Sequence, residues 1–165
     1  MDEPTMLTFL KMQSLDDLRP AIDRWGTSLS LRALPITSPL IRDITLGIGR
    51  PYDWPSQRWS DNDWAEYLRR PFLSHWMLDC DGSSAGLVSI DFLPDGKTEI
   101  DTFGLLPAYV GRGMGGSFLT MVVRHVFMTA PNTRCLWLHT ASTDHPHALH
   151  NYLARGFQIF PHEQS

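Results

Sequence analysis

The chain lacks the features that announce several large protein classes. Of its 165 residues only two are cysteine, Cys80 and Cys135, far apart and in no CxxC spacing, so neither a disulfide framework nor a structural zinc site is expected. Lys and Arg number 14 against 18 Asp and Glu, and basic residues cluster no further than pairs such as Arg69-Arg70. Nucleic acid therefore finds no electrostatic footprint and is not expected as a partner. No apolar run approaches the roughly 18 residues a membrane helix needs. Met1-Asp2-Glu3-Pro4 lacks the basic and then apolar profile of a leader peptide. These absences point away from membranes and export, toward a cytoplasmic, reducing compartment. What is present, 42% hydrophobic and 19% charged residues, fits one α/β or α+β domain over residues 1–165.

Periodicity divides the chain into two regions. Met6 to Met12 reads as a strand, and Ser14 caps a short helix that stops near Pro20. Between Leu34 and Arg58, four prolines (35, 39, 51 and 55) and two glycines (47 and 49) leave room for one helix around 40–46, with the aromatic stretch Tyr52-Asp53-Trp54 after it. Ser60 caps a further helix whose Trp64, Tyr67 and Leu68 share a face, and Pro71 ends it. The pattern then changes to strands over 72–79, 86–93 and 98–106. They are joined by Asp81-Gly82 and Asp95-Gly96, both strong hairpin signals, which predicts an antiparallel meander. A nearly all-apolar helix over 113–128, a strand over 135–140, a helix over 146–155 ending at Gly156, and a short strand over 157–160 complete the order.

Gly111-Arg112-Gly113-Met114-Gly115-Gly116 sets four glycines in six positions between a strand and a helix. Three glycines in a helix's first turns cost about 1 kcal/mol each relative to alanine, and that cost suggests a compensating role. Glycines let backbone N–H groups approach an anion, which the helix N-terminus favours by a further ~0.3–2 kcal/mol. A pyrophosphate is the natural guest, with Arg112 as an added cation. A tight turn with close helix–sheet packing is the alternative. The P-loop reading fails because Gly116-Ser117-Phe118 stands where Gly-Lys-Ser/Thr is required. GxGxxG is met by Gly111, Gly113 and Gly116, yet no Asp or Glu occurs between Asp101 and Asp144 to hold a ribose. A cradle for the pyrophosphate of coenzyme A remains.

Over 86–160 the sequence resembles the GNAT superfamily of acyl-CoA-dependent N-acyltransferases. Its Gln/Arg-x-x-Gly-x-Gly/Ala motif falls on Val110-Gly111-Arg112-Gly113-Met114-Gly115, with Val110 in the place of Gln or Arg. A second motif falls on Ala148, Tyr152 and Gly156-Phe157, with His145 where an Asn usually opens it. The resemblance implies a mixed, mostly antiparallel central sheet of six to seven strands flanked by about four helices. It implies acetyl-CoA as co-substrate and transfer of the acetyl group to a primary amine of a small molecule or a protein. No metal is expected, and a homodimer is left open.

The same resemblance implies coenzyme contacts from the backbone of Leu105 and Leu106, from Gly111, Arg112, Gly113, Met114, Gly115 and Gly116, and from Asn151. It implies Tyr152 as the acid that protonates the departing thiolate; a packed tyrosine with a satisfied hydroxyl is the alternative. Glu99 and Asp101 lie two apart on a predicted strand and, absent a bulge, project from one face, where paired carboxylates raise each other's proton affinity. Glu99 falls where some members of the family carry the general base, while Asp101 could bind the amine as counter-ion and His139 could serve as an alternative base. Tyr52, Trp54 and Trp59 are candidates for the acceptor pocket or for the core. Asp144 reads as the N-cap of the last helix, and Cys135 lacks an identifiable base to make it a nucleophile. Two other classes stay open: a catalytically silent acyl-CoA-binding or sensing module on the same fold, and a nucleotide-dependent oxidoreductase.

Overall fold

The computed structural model describes residues 5–161, so Met1-Asp2-Glu3-Pro4, read above for a leader, lie outside the described residues. Seven strands form one sheet: β1 (Leu7–Met12), β2 (Leu29–Leu34), β3 (Leu73–Cys80), β4 (Ser83–Phe92), β5 (Lys97–Leu105), β6 (Cys135–Ala141) and β7 (Gln158–Phe160). Their spatial order is β2-β3-β4-β5-β6-β1-β7. Every neighbouring pair is antiparallel except β5–β6, which is parallel. Helices α1 (Leu40–Gly49), α2 (Asp61–Leu68), α3 (Met114–Thr129) and α4 (Ala148–Ala154) flank the sheet. The expected α/β architecture is the one observed.

Local chemistry explains most of these elements. At the β3–β4 hairpin, Asp81 and Gly82 both adopt positive φ, 50° and 82°, the requirement of a tight two-residue turn whose twist matches the strands. Ser60 and Asp63 form a reciprocal capping box at the start of α2, a device worth ~0.5–2 kcal/mol. Helix α3 buries Phe118, Leu119, Val122, Val123 and Val126 against Leu10, Leu78, Val88, Ile90, Leu136 and Leu138 of the sheet. Each such side chain contributes about 1.5–3 kcal/mol relative to exposure. A second cluster joins Ile41 and Ile48 of α1 to Leu34, Met77 and Leu87, and a third joins Trp64 and Tyr67 of α2 to Leu73.

Strand β2 was not anticipated, although Leu29-Ser30-Leu31-Arg32-Ala33-Leu34 alternates; it pairs with β3 at the sheet's outer edge. Helix α4 begins at Ala148 with His147 at its N-cap, so Asp144 is not the cap it was expected to be.

Candidate active site

The parallel pair β5–β6 holds together only where Lys97, Thr98 and Glu99 meet Cys135, Leu136 and Trp137. Beyond Glu99 the two strands part, and β5 continues to Leu105 paired with β4 alone. The parting begins beside a bulge. Ser89 pairs with Thr102 and Ile90 with Ile100, which leaves Asp101 as the extra residue on β5. The expectation of an unbulged strand is corrected here, and the bulge sets the roles of the two carboxylates apart.

Leu106 N–H donates to the Ala85 carbonyl at 2.8 Å, and Tyr109 N–H donates to the Leu106 carbonyl at 2.9 Å. Both backbone groups of Leu106 thus already make a hydrogen bond within the protein. The two-residue alternation of an antiparallel ladder turns Gly104 toward β4 as well. It leaves the N–H and C=O of Phe103 and Leu105 facing the gap.

From Leu106 the chain makes a 3-10 turn over Pro107–Tyr109 and enters the glycine turn. Gly111 and Gly113 adopt φ of 83° and 74°, where other L-residues are strained. A Cβ at either would meet nothing within 4 Å, so the space over the turn is open. Gly113 is the N-cap of α3 and offers no side-chain cap, so the first-turn amides of this 16-residue helix are left for another acceptor. Gly111, Gly113, Met114, Gly115, Gly116 and Asn151 line a cavity of about 360 Å³, joined by Leu105 and Tyr152.

Arg112 turns its guanidinium over the Tyr109 ring, 5.2 Å from the centroid, and does not line the cavity. The guanidinium that does line it is that of Arg155. A Cβ on Gly116 would come 2.9 Å from Arg155 Nη1, and Arg155 Nε is buried with no partner. An open cradle of amides and an underused guanidinium fit a diphosphate. Arg155 was missed because a cation at a helix C-terminus has a ready explanation in the helix dipole.

A second cavity, about 520 Å³, opens on the other side of the strand gap. Asp101, Tyr67, Arg70, Trp59, Leu138 and His139 line it. Five residues, Tyr52, Trp54, Phe103, Asp144 and Tyr152, line both cavities, so the two spaces meet there. Asp144 fastens this junction: it accepts from Trp54 Nε1 at 2.9 Å, from the Thr140 hydroxyl at 2.8 Å and from Ala141 N–H at 2.8 Å. Gly49 gives Trp54 its seat, since a Cβ there would lie 2.6 Å from Trp54 Cε3.

Asp101 accepts from the Tyr67 hydroxyl at 2.6 Å and sits 3.5 Å from Arg70 Nη1, while Arg70 Nη2 also binds Asp91. Glu99 is 9% exposed, pairs across the strands with Asp91 and does not line the second cavity. Burial first, and the charge of Asp101 second, push the Glu99 carboxyl up to about 7. Burial chiefly, with Asp144 adding to it, raises Tyr152 and keeps its phenol protonated. His75 shares a 2.6 Å hydrogen bond with Ser89 beneath this network, and burial lowers its imidazole to about 4. His139 is exposed beside Phe9, with ring centroids 5.5 Å apart. Sequence reading missed Arg70, Asp91 and His75, because only the sheet topology brings them to Asp101.

A strand pair that parts beside a glycine turn at a helix N-terminus, with a second pocket across the gap, defines an α/β fold suited to a two-substrate transferase. Residues 41–157 match the model of the acetyltransferase (GNAT) family. The chain belongs to that family. Among curated proteins no match is found. Solved structures share the fold. A GCN5-related N-acetyltransferase from Kribbella flavida is 14% identical with a TM-score of 0.60, over 94% of this chain and 56% of its own. One from Sphaerobacter thermophilus is 19% identical with a TM-score of 0.60, over 93% and 48%. An IAA acetyltransferase from Bacillus cereus is 20% identical with a TM-score of 0.59, over 81% and 79%. Against several of these structures the chain spans about half their length. No helix among the described residues is long and apolar enough to cross a membrane.

Proposed function

We propose that this protein is an N-acetyltransferase that moves the acetyl group of acetyl-CoA onto a primary amine by direct attack, within one domain in the cytoplasm. The observation that carries the reading is the meeting of the two cavities at Tyr152. Acetyl-CoA supplies a thioester whose carbonyl carbon accepts the nitrogen and whose sulfur leaves. The amides of residues 111–116, with Arg155 and Asn151, hold its diphosphate, and the gap-facing backbone of Phe103 and Leu105 holds its arm. A free N–H on that edge polarises the carbonyl, an effect of ~10²–10³-fold for one such donor.

Asp101, held in place by Arg70 and the Tyr67 hydroxyl, draws the ammonium of the acceptor to the junction. Glu99, its neighbour, takes the proton that frees the nitrogen lone pair, through Asp101 or a water. As the C–N bond forms and the C–S bond breaks, Tyr152 Oη gives its proton to the sulfur. The second proton of the nitrogen then restores Tyr152. His139, Tyr52 and Trp54 complete the wall around the acceptor.

Thiol release from acetyl-CoA in the presence of an amine panel tests the reading. Release that depends on an amine supports it, whereas acetyl-CoA binding with no release for any amine supports the silent binding module.

A further inference from the structure

The acceptor-side cavity has two guanidiniums on its wall among the described residues, Arg58 and Arg70, and both are already engaged. Arg70 spans Asp91 and Asp101, and Arg58 Nη1 lies 2.7 Å from Asp53 Oδ1. Asp101 of the wall and Asp91 share the single guanidinium of Arg70. Asp144 is consumed by Trp54, Thr140 and Ala141. The rest of the wall is largely aromatic and apolar, with Tyr52, Trp54, Trp59, Tyr67, Phe103 and Leu138.

We infer that the acceptor is an amine with an apolar or aromatic body and no carboxylate beside its nitrogen; the inference rests on the acetyltransfer reading above. An α-amino acid carries its carboxylate two bonds from the nitrogen. With the ammonium at Asp101, that carboxylate lies within a few ångströms of a like charge. No unpaired guanidinium of the cavity wall offsets the repulsion, and like charges so placed oppose binding strongly. The ammonium meets the opposite situation, because an anionic site flanked by aromatic rings binds a cation through charge and ring faces together. Specificity here follows from what the site withholds: Arg70 is spent on Asp91 and Asp101, and Arg58 pairs with Asp53 at the exposed rim.

Matched pairs test this directly: tyramine against tyrosine, and 2-phenylethylamine against phenylalanine. Thiol release gives kcat/KM for each, and calorimetric titration of each compound into the protein without acetyl-CoA gives binding alone. The expected result is a preference of at least about 10²-fold for the member without the carboxylate, with heat of binding seen for that member only. Equal use of the two, preference for the amino acid, or binding of neither overturns the inference. Calorimetry of acetyl-CoA on the same sample keeps the two readings apart. If acetyl-CoA binds and amino acids are acetylated, this inference falls alone; if acetyl-CoA does not bind, both fall. Asp53→Asn supplies a second arm. The substitution suits the left-handed backbone at this position (φ 50°) and strips Arg58 of its partner. The tyramine-to-tyrosine ratio is expected to narrow several-fold, and an unchanged ratio overturns the part assigned to Arg58.

Discussion

At the scale of single residues, the proposed reaction divides the proton chemistry between Tyr152 and Glu99 because their surroundings differ. Burial raises both, but Tyr152 starts as a weak acid and stays protonated, while Glu99 arrives near neutrality with Asp101 beside it. Tyr152→Phe removes one hydroxyl from a buried ring. It is expected to lower kcat by ~10²–10⁴-fold while leaving the acetyl-CoA dissociation constant within a few-fold, measured by single-turnover kinetics and calorimetry. An equal loss in both would remove the acid role.

Glu99 must be ionised to accept a proton, so kcat/KM is expected to rise with pH through about 7. Glu99→Gln should lower the rate and abolish that limb of the profile. A profile unchanged by the substitution would assign the base elsewhere, to Asp101 or His139 of the cavity wall.

At the scale of elements, the glycine turn and the bulge do the positioning. Gly113 combines a left-handed φ with open space above it, so an aspartate there brings strain and a negative charge to the place proposed for a diphosphate. Gly113→Asp is expected to weaken acetyl-CoA by at least about 10²-fold by calorimetry with the fold retained by circular dichroism. Gly104 serves packing as well as the gap, since a Cβ on it would run into Ile48 Cγ2 of α1. Gly104→Ala is expected to cost ~1–3 kcal/mol, read from the denaturant midpoint, and a neutral result would mean that α1 yields at no cost.

The elements legible in the sequence are those written in local backbone chemistry. The Asp-Gly turns, the Ser60 cap and the glycine turn each impose a conformation on a few adjacent residues, and each is found where it was read. The bulge at Asp101 leaves no such mark, because one inserted residue alters pairing without altering composition. Asp144 illustrates the same limit: a cap and a tether need the same side chain, and its partner Trp54 stands 90 positions away.

At the scale of the whole molecule, one sheet brings three distant segments to one junction. Residues 52–59 roof the gap, β5 with α3 carries the glycine turn, and β6 with α4 brings Asp144 and Tyr152. The cradle was readable because it is contiguous. The Arg70–Asp91–Asp101 cluster was not, since the turn after α2, β4 and β5 meet only after the sheet has formed. In the proposed function its charges tie recognition of the amine to the fold.

The amides of 111–116 are proposed to hold a diphosphate so that the thiol end reaches Tyr152. A crystal structure with coenzyme A bound tests it most directly. The account predicts diphosphate oxygens within hydrogen-bond distance of those amides and the sulfur next to Tyr152 Oη. A diphosphate bound elsewhere, or a sulfur remote from Tyr152, would contradict it.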